Sequence, residues 1–345
     1  MSTIVAIDVM SGDGGMSVAI AAAVDVLAAR PDADALSLVL VGDAEAIEAE
    51  LARMSSDKRL AGIRDRLSIV HADEVVTMED SARVALKDKK RSSMRMAINL
   101  VKDGQAVACV SAGNTGALMA IGKFVLKTVK GIERPAIATS MPSTGSPRLM
   151  LDLGANVDSS SNQLHQFAQM GSILARALGY ARSPRVGLLN IGSEALKGND
   201  QVRQAAPLLE QCSEINYIGF VEGDDIYTGE VDVVVCDGFA GNVALKASEG
   251  LANMIGQLLR EEFMRTPLTK LIGLIARPVL KSLRARIDPR QYNGASLVGL
   301  RGIVVKSHGG ADAFAFAHAI DIAVRSAQLD VPKLIAQQLE QQAAA

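Results

Sequence analysis

Six short loops carry most of the residues in this chain that could do chemistry. They read Asp8-Val9-Met10-Ser11-Gly12-Asp13-Gly14-Gly15, Ser111-Ala112-Gly113-Asn114-Thr115-Gly116, Gly154-Ala155-Asn156, Asn190-Ile191-Gly192-Ser193-Glu194, Asp237-Gly238-Phe239-Ala240-Gly241-Asn242 and Ser307-His308-Gly309-Gly310. Each is small, polar and glycine-bearing, and each follows a short apolar run. Glycine lets backbone approach a ligand closely, and the amides that open a following helix point at it. At the carboxyl ends of strands, where open α/β sheets bind ligands, such a rim suits a small anion, phosphate first among them. One such turn needs no ligand, since a tight strand-to-helix connection with an N-cap has the same composition. Six together favour a binding site. None is GxGxxG or GxxxxGK[ST], so the dinucleotide and Walker fingerprints are missing and no cofactor is indicated.

Nothing announces a covalent nucleophile: there is no G-x-S-x-G elbow, no HExxH and no cysteine beside a histidine. Cys109, Cys212 and Cys236 lie far apart without CxxC or metal-ligand spacing, which fits reduced thiols in a cytosolic protein and no metal. Cys109 and Cys236 end apolar runs, as buried structural thiols do. His165 reads as a packing or surface residue on a helix, and His71 and His318 carry no supporting pattern. His308 differs because Ser307, Gly309 and Gly310 place it in a loop. Lys197, flanked by Leu196 and Gly198, is either a solvated lysine or an ammonium that neutralises a phosphate or a developing oxyanion. Asn242 is either an N-cap or an amide donor to a thioester or phosphate oxygen. Asp8, Asp152 and Asp237 end strands, where they orient donors or cap helices.

The elements that must position these groups alternate. Strands are predicted at Ile4 to Ile7, Leu36 to Val41, Leu67 to Val70, Ala106 to Val110, Ala136 to Met141, Arg148 to Leu153, Arg185 to Asn190, Ile215 to Val221, Val231 to Cys236 and Gly302 to Lys306. Their near-continuous apolar character marks strands covered on both faces. Helical periodicity fills Ala44 to Met54, Ser81 to Lys102, Gly116 to Val129, Gln163 to Leu178 and Asn242 to Arg265. The alternation predicts a mostly parallel, doubly wound α/β sheet built as one large domain over residues 1–345. Ile4 to Ile7 begins almost at once, with no sign of a targeting segment before it.

The whole chain has 345 residues, a formal net charge of -2 and only 3% aromatics with no Trp. It therefore lacks both the basic field that holds a duplex and the stacking surface that single strands need, which excludes a general nucleic-acid binder. Hydrophobic residues make up 49%, yet no apolar stretch approaches the roughly 20 residues that span a bilayer. Two basic tracts interrupt the near-neutral total. Lys87, Lys89, Lys90, Arg91 and Arg95 surround Ser92 and Ser93, a composition that an ordinary solvated helix face shares. Between Arg260 and Arg290, Arg265, Lys270, Arg277, Lys281, Arg284 and Arg286 alternate with Leu268, Leu271, Ile272, Leu274, Ile275, Val279, Leu280 and Leu283. This predicts a helical basic amphipathic excursion at about 251–290, broken or kinked by Pro278, that faces a membrane surface, an acidic partner, the core or a dimer interface.

Taken in order, these motifs resemble the bacterial phosphate acyltransferase (PlsX) family. The resemblance rests on Ala6-Ile7-Asp8 with Gly12-Asp13, Lys89 to Met94, Ser111 to Ala117, Leu151 to Asn156, Gln166-Phe167-Ala168 with Met170-Gly171, Arg185 to Gly192 with Glu194, Lys197 and Gly198, Val221-Glu222-Gly223, Asp232 to Phe239 with Gly241-Asn242-Val243, and His308-Gly309. It spans almost the whole chain. Ser11, Met16-Ser17 and Asn293-Gly294-Ala295-Ser296-Leu297 depart from the family pattern. The resemblance implies a three-layer α/β/α Rossmann-like fold akin to phosphotransacetylases and isocitrate-dehydrogenase-type proteins, in a cytoplasmic, peripherally membrane-associated homodimer. It implies transfer of a fatty acyl group from acyl carrier protein to inorganic phosphate, the acyl phosphate then serving glycerol-3-phosphate acyltransferase in phospholipid synthesis. Phosphate is then itself the nucleophile, so the missing triad is expected. On this reading Lys197 and Asn242 serve the phosphate and the thioester oxyanion, with His308 as a third catalytic candidate. The amides of Gly113 to Gly116, including Thr115, and of Gly192 form the cradle, while Asp8, Asn114, Asn156 and Gly241 are further substrate-binding candidates. A short-chain phosphotransacetylase using coenzyme A and a non-catalytic binding protein of the same fold are the alternatives.

Overall fold

The computed structural model describes residues 3–30 and 36–344, together with all their side chains except those of residues 284, 343 and 344. Eleven strands form one sheet: β1 (Thr3–Asp8), β2 (Leu36–Gly42), β3 (Leu67–His71), β4 (Ala108–Ser111), β5 (Ala136–Met141), β6 (Arg148–Leu151), β7 (Arg185–Leu189), β8 (Asn216–Val221), β9 (Val233–Val235), β10 (Ala295–Val298) and β11 (Ile303–Lys306). All ten predicted strands are present within a few residues. The eleventh, β10, was not expected: its four residues follow Gly294 and carry little apolar periodicity.

Side chains alternate between two buried layers because successive strand residues face opposite sides. Val5 and Ile7 join Leu38, Leu40, Val110 and Val305 beneath the helices Gly15–Ala28 and Ala313–Gln328. Ala6, Val39, Cys109 and Val304 face the other way, onto the helices Ser93–Lys102 and Thr115–Leu126. Beyond the centre, Leu149, Leu151, Val186, Leu188, Val233 and Val235 pack against the helices Ser161–Ala177 and Asp200–Glu210. The predicted three-layer α/β/α fold is thus what the chain adopts.

The strand order is β3-β2-β1-β4-β11-β10-β5-β6-β9-β7-β8. Most pairings are parallel, but β11–β10, β10–β5 and β5–β6 are antiparallel. Three consecutive reversals leave β6, β7, β8 and β9 running opposite to β1, β2, β3, β4 and β11. The six glycine-bearing loops therefore do not make the single rim that a uniformly parallel sheet would give. The loops after β1, β4 and β11 sit on one edge, and those after β6, β7 and β9 on the other.

The helical periodicity predicted from Ser81 to Lys102 resolves into two helices, Ala82–Lys87 and Ser93–Lys102. Between them Lys89 folds back to donate to the Val75 carbonyl at 2.7 Å and to pair with Asp80. Part of the first basic tract is thus structural. The second tract follows the long helix Gly238–Met264 as two shorter helices, Pro267–Ile275 and Arg277–Ile287. Thr266 caps the first of them through the Thr269 amide at 3.1 Å. Pro278 lies in the first turn of the second, where its missing amide leaves no bond unmade, so it starts a helix instead of kinking one. Leu268, Leu271, Ile272, Ile275 and Val279 are all exposed. The side chain of Arg284 lies outside the described residues.

Candidate active site

On the first edge, Asp8 is buried at the end of β1 and works within the fold. Its carboxylate accepts from the Ser111 hydroxyl at 2.6 Å and the Met10 amide at 3.3 Å. Burial pushes its carboxyl above the usual carboxylate range, against those hydrogen bonds. The Gly113 amide, expected in the cradle, donates instead to the Ser111 hydroxyl at 3.1 Å. The Asn114 side chain accepts from the Ala117 amide at 3.0 Å, capping the helix Thr115–Leu126, and its amide donates to the Met78 and Asp80 carbonyls. Asn114 thus ties a loop to a helix start. Thr115, next in line, faces a cavity.

On the second edge, the Asp152 carboxylate organises the loop after β6. It accepts from the amides of Ile137, Leu153, Ala155 and Asn156 at 2.7–3.1 Å and from the Asn156 side chain at 2.9 Å. Asn156 donates its remaining side-chain hydrogen to the Pro135 carbonyl at 2.9 Å, so both side-chain hydrogens are engaged and the residue is buried. The long helix starts against this loop. Asp237 caps it through the Ala240 amide at 2.8 Å, and a Cβ on Gly241 would lie 1.8 Å from the Asp152 carbonyl oxygen. Gly241, like Asn156, serves close packing here. Because Asp237 takes the cap, Asn242 is left free. Its side chain makes no hydrogen bond among the described residues and is exposed to the cavity.

The cavity measures about 450 Å³ and lies along β5 and β10 beneath the long helix. That helix crosses from one sheet edge toward the other. Asn242, Leu245, Lys246, Glu249, Ala252 and Asn253 share one helical face along it, at i, i+3, i+4, i+7, i+10 and i+11. Asn242 stands beside the second edge, next to Gly154. One turn on, Lys246 reaches His308 of the first edge, Nζ to Nε2 3.1 Å, and pairs with Glu249 at 2.7 Å. The His308 amide donates to the Asn293 side chain at 2.9 Å, whose own amide donates to the Ser307 hydroxyl. The divergent segment beginning at Asn293 therefore holds the histidine loop in place. Burial and the Lys246 ammonium hold His308 below its ordinary value. Lys306, the last residue of β11, lines the same cavity, and burial lowers its ammonium to about 8.

Lys197 and Gly192 do not line this cavity. Lys197 pairs with Glu194 at 2.8 Å on the loop after β7 and packs its stem over Gly192. It shares the second edge with Asn242. The cavity thus brings together Asn242, His308 and Thr115 of the residues expected from sequence, and adds Lys246 and Lys306. Lys246 could have been found from its i+4 spacing to Asn242. Lys306 is the only charged residue in its strand, one position before a candidate loop. Among the described residues no three His, Cys, Asp or Glu side chains gather as a metal site.

Beside the cavity lies a second space of about 1380 Å³, bounded by the long helix and the two basic amphipathic helices. Ala252, Asn253, Ile287, Pro289 and Arg290 line both, so the two are neighbours.

Known structures with this architecture include a phosphotransacetylase from Streptococcus pyogenes, TM-score 0.63 at 15% identity over 95% of this chain and 94% of that one. The EutD phosphotransacetylase from Staphylococcus aureus gives 0.61 at 16% identity over 94% of each. In sequence, the chain is 56% identical to the phosphate acyltransferase of Methylococcus capsulatus, over 98% of this chain and 97% of that protein. It is 54% identical to that of Hydrogenovibrio crunogenus, over 99% and 98%. Residues 3–334 match the model of the fatty acid synthesis protein family. The agreement is end to end, so the chain belongs to that family, which the resemblance in its loops had indicated.

Proposed function

We propose that this protein transfers a fatty acyl group from the thioester of acyl carrier protein to inorganic phosphate, producing acyl phosphate for glycerol-3-phosphate acyltransferase in phospholipid synthesis. A phosphate oxygen attacks the thioester carbonyl carbon, the carbonyl oxygen becomes an oxyanion, and the carbon–sulfur bond then breaks. The carrier leaves as a thiolate that takes a proton from solvent. A thiolate departs readily, so positioning and charge stabilisation carry most of the work. The observation that carries the reading is one cavity holding an unengaged amide, Asn242, together with a cluster of cationic and imidazole groups, beside a second space lined in part by Leu274, Leu280 and Leu283. Asn242 is the donor to the oxyanion. Lys197, on the same edge, is assigned to charge neutralisation at the approach, and the amides of Thr115 and Gly116 to the cradle. The acyl tail occupies the space beneath the amphipathic helices.

Phosphate-dependent release of carrier-protein thiol from a palmitoyl donor tests this directly. Release independent of phosphate, or none with folded protein, overturns it. A second reading, a short-chain phosphotransacetylase using coenzyme A, draws on the fold shared with the phosphotransacetylases. Faster turnover of acetyl-coenzyme A than of the palmitoyl carrier would favour it. We also assign the acidic carrier protein to basic surface around Lys90 and the amphipathic helices to the cytoplasmic membrane face, in a homodimer.

A further inference from the structure

We propose that Lys306, with Lys246 and His308, forms the subsite that holds the phosphate dianion. This rests on the acyl transfer to phosphate inferred above. Lys306 is placed by the sheet itself: β11 is hydrogen-bonded between β4 and β10, so the backbone that carries this side chain is held by strands on both sides. Its ammonium donates to the Ala112 carbonyl at 3.2 Å and to the Ser307 carbonyl. Among the described residues it has no carboxylate within ion-pair distance. An ammonium has three donors and no acceptor, which leaves one for a ligand in the cavity it lines.

The second observation is a conflict among donors. The Gly310 amide donates to His308 Nδ1 at 3.0 Å, while Lys246 Nζ lies 3.1 Å from Nε2. A neutral imidazole carries one hydrogen. On Nε2 it faces the ammonium, and on Nδ1 it faces the amide, so either tautomer sets two donors against each other. A third acceptor resolves this: an anionic oxygen that takes the Lys246 hydrogen and the Nε2 hydrogen together. Phosphate supplies several such oxygens. Among the described residues Lys306 has no ion-pair partner in the cavity it lines, and one dianion could accept from its free hydrogen, from Lys246 and from His308 together. The ionisable groups facing Lys306 are Lys246 from the long helix, Asp8 from the end of β1 and Asp13 from the loop after it. Glu249 is already paired with Lys246, and Asp312 with Arg290 at 2.7 Å.

The test measures inorganic phosphate binding to the full chain by calorimetry, with KM for phosphate and for the acyl donor alongside. Removing one charge-assisted hydrogen bond predicts that Lys306→Met weakens phosphate binding by about tenfold to a hundredfold. KM for the acyl donor should stay within about twofold of wild type, and Lys306→Arg should recover part of the loss. Wild-type phosphate affinity should fall as pH rises through about 8, where the Lys306 ammonium loses its proton. If folded Lys306→Met binds phosphate as wild type does, the subsite is wrong while the acyl-transfer reading stands. Lysine-dependent phosphate binding with no acyl transfer leaves the opposite result. Should Lys306→Met fail to fold, Lys246→Met and the wild-type pH profile decide: no weakening in either overturns the proposal.

Discussion

Asn242 offers an amide that nothing in the described structure engages, and this sets apart what it does for chemistry from what it does for folding. Asn242→Ala should lower kcat for acyl phosphate formation by about 10²–10³, the usual effect of losing one oxyanion donor. Thermal denaturation should place its stability within about 0.5 kcal/mol of wild type. Near-wild-type turnover would remove Asn242 from the mechanism. Lys197→Ala is expected to lose turnover with equally little effect on stability, because its ion pair with Glu194 is exposed and contributes little. Lys306 is the opposite case. Its folded value of about 8 lies below the ordinary 10.5, so between those limits the unfolded chain binds the proton that the folded one has lost. Stability therefore rises with pH across that window, and at neutral pH the buried ammonium opposes folding. Lys306→Met should melt higher than wild type at pH 7, and an unchanged or lower Tm would contradict this. Asn242 and His308 were legible in the sequence because polar residues in glycine-rich loops stand out. Lys246 and Lys306 carry weaker signals, an i+4 spacing and a lone strand charge, because they sit inside regular elements.

The long helix Gly238–Met264 shows how one element joins the two sheet edges. It can start where it does only because Gly241 presents no Cβ to the Asp152 carbonyl. Gly241→Ala should destabilise by about 1–3 kcal/mol or more through overpacking, and should move Asn242 enough to lower activity as well. Gly250 on the same helix has open space around its missing Cβ. There, Ala should stabilise by about 0.5–1 kcal/mol. Equal denaturation midpoints for the two variants would mean that the close approach at Gly241 is not what fixes the helix. Most strands and helices could be read from apolar runs and caps. The antiparallel centre was readable in principle: six residues separate β5 from β6 and four separate β10 from β11. Neither gap has room for the dozen or more residues of a parallel crossover. Pro142, Gly145 and Pro147 mark the first as a turn. β10 carries too little apolar signal to be read, and without these reversals the six loops form one apparent rim.

Across the whole molecule, exposed apolar side chains concentrate on the second half of the long helix and the two short helices after it. Leu271 and Ile275 are 55% and 73% exposed on a helix bordered by Lys270 and Arg277. Among the described residues no helix is long and apolar enough to cross a membrane. Contact in the plane of an anionic surface is the arrangement this helix suits. Replacing both residues with Glu should abolish flotation with vesicles of phosphatidylglycerol and leave solution turnover of a short acyl donor unchanged. Flotation that survives the change would assign the exposed face to something other than lipid. The sheet order has a different consequence, one of timing. β11 lies between β4 and β10 in the middle of the sheet, yet it is the last strand in chain order, nearly two hundred residues after β4. During synthesis the first half therefore waits with an open edge at β4 until the second half has been made. Such long-range pairing folds slowly and exposes unpaired strand edges meanwhile. A nascent chain arrested after residue 290 should be protease-sensitive and bound by chaperones, and protection should come abruptly once residues 303–306 have cleared the ribosome.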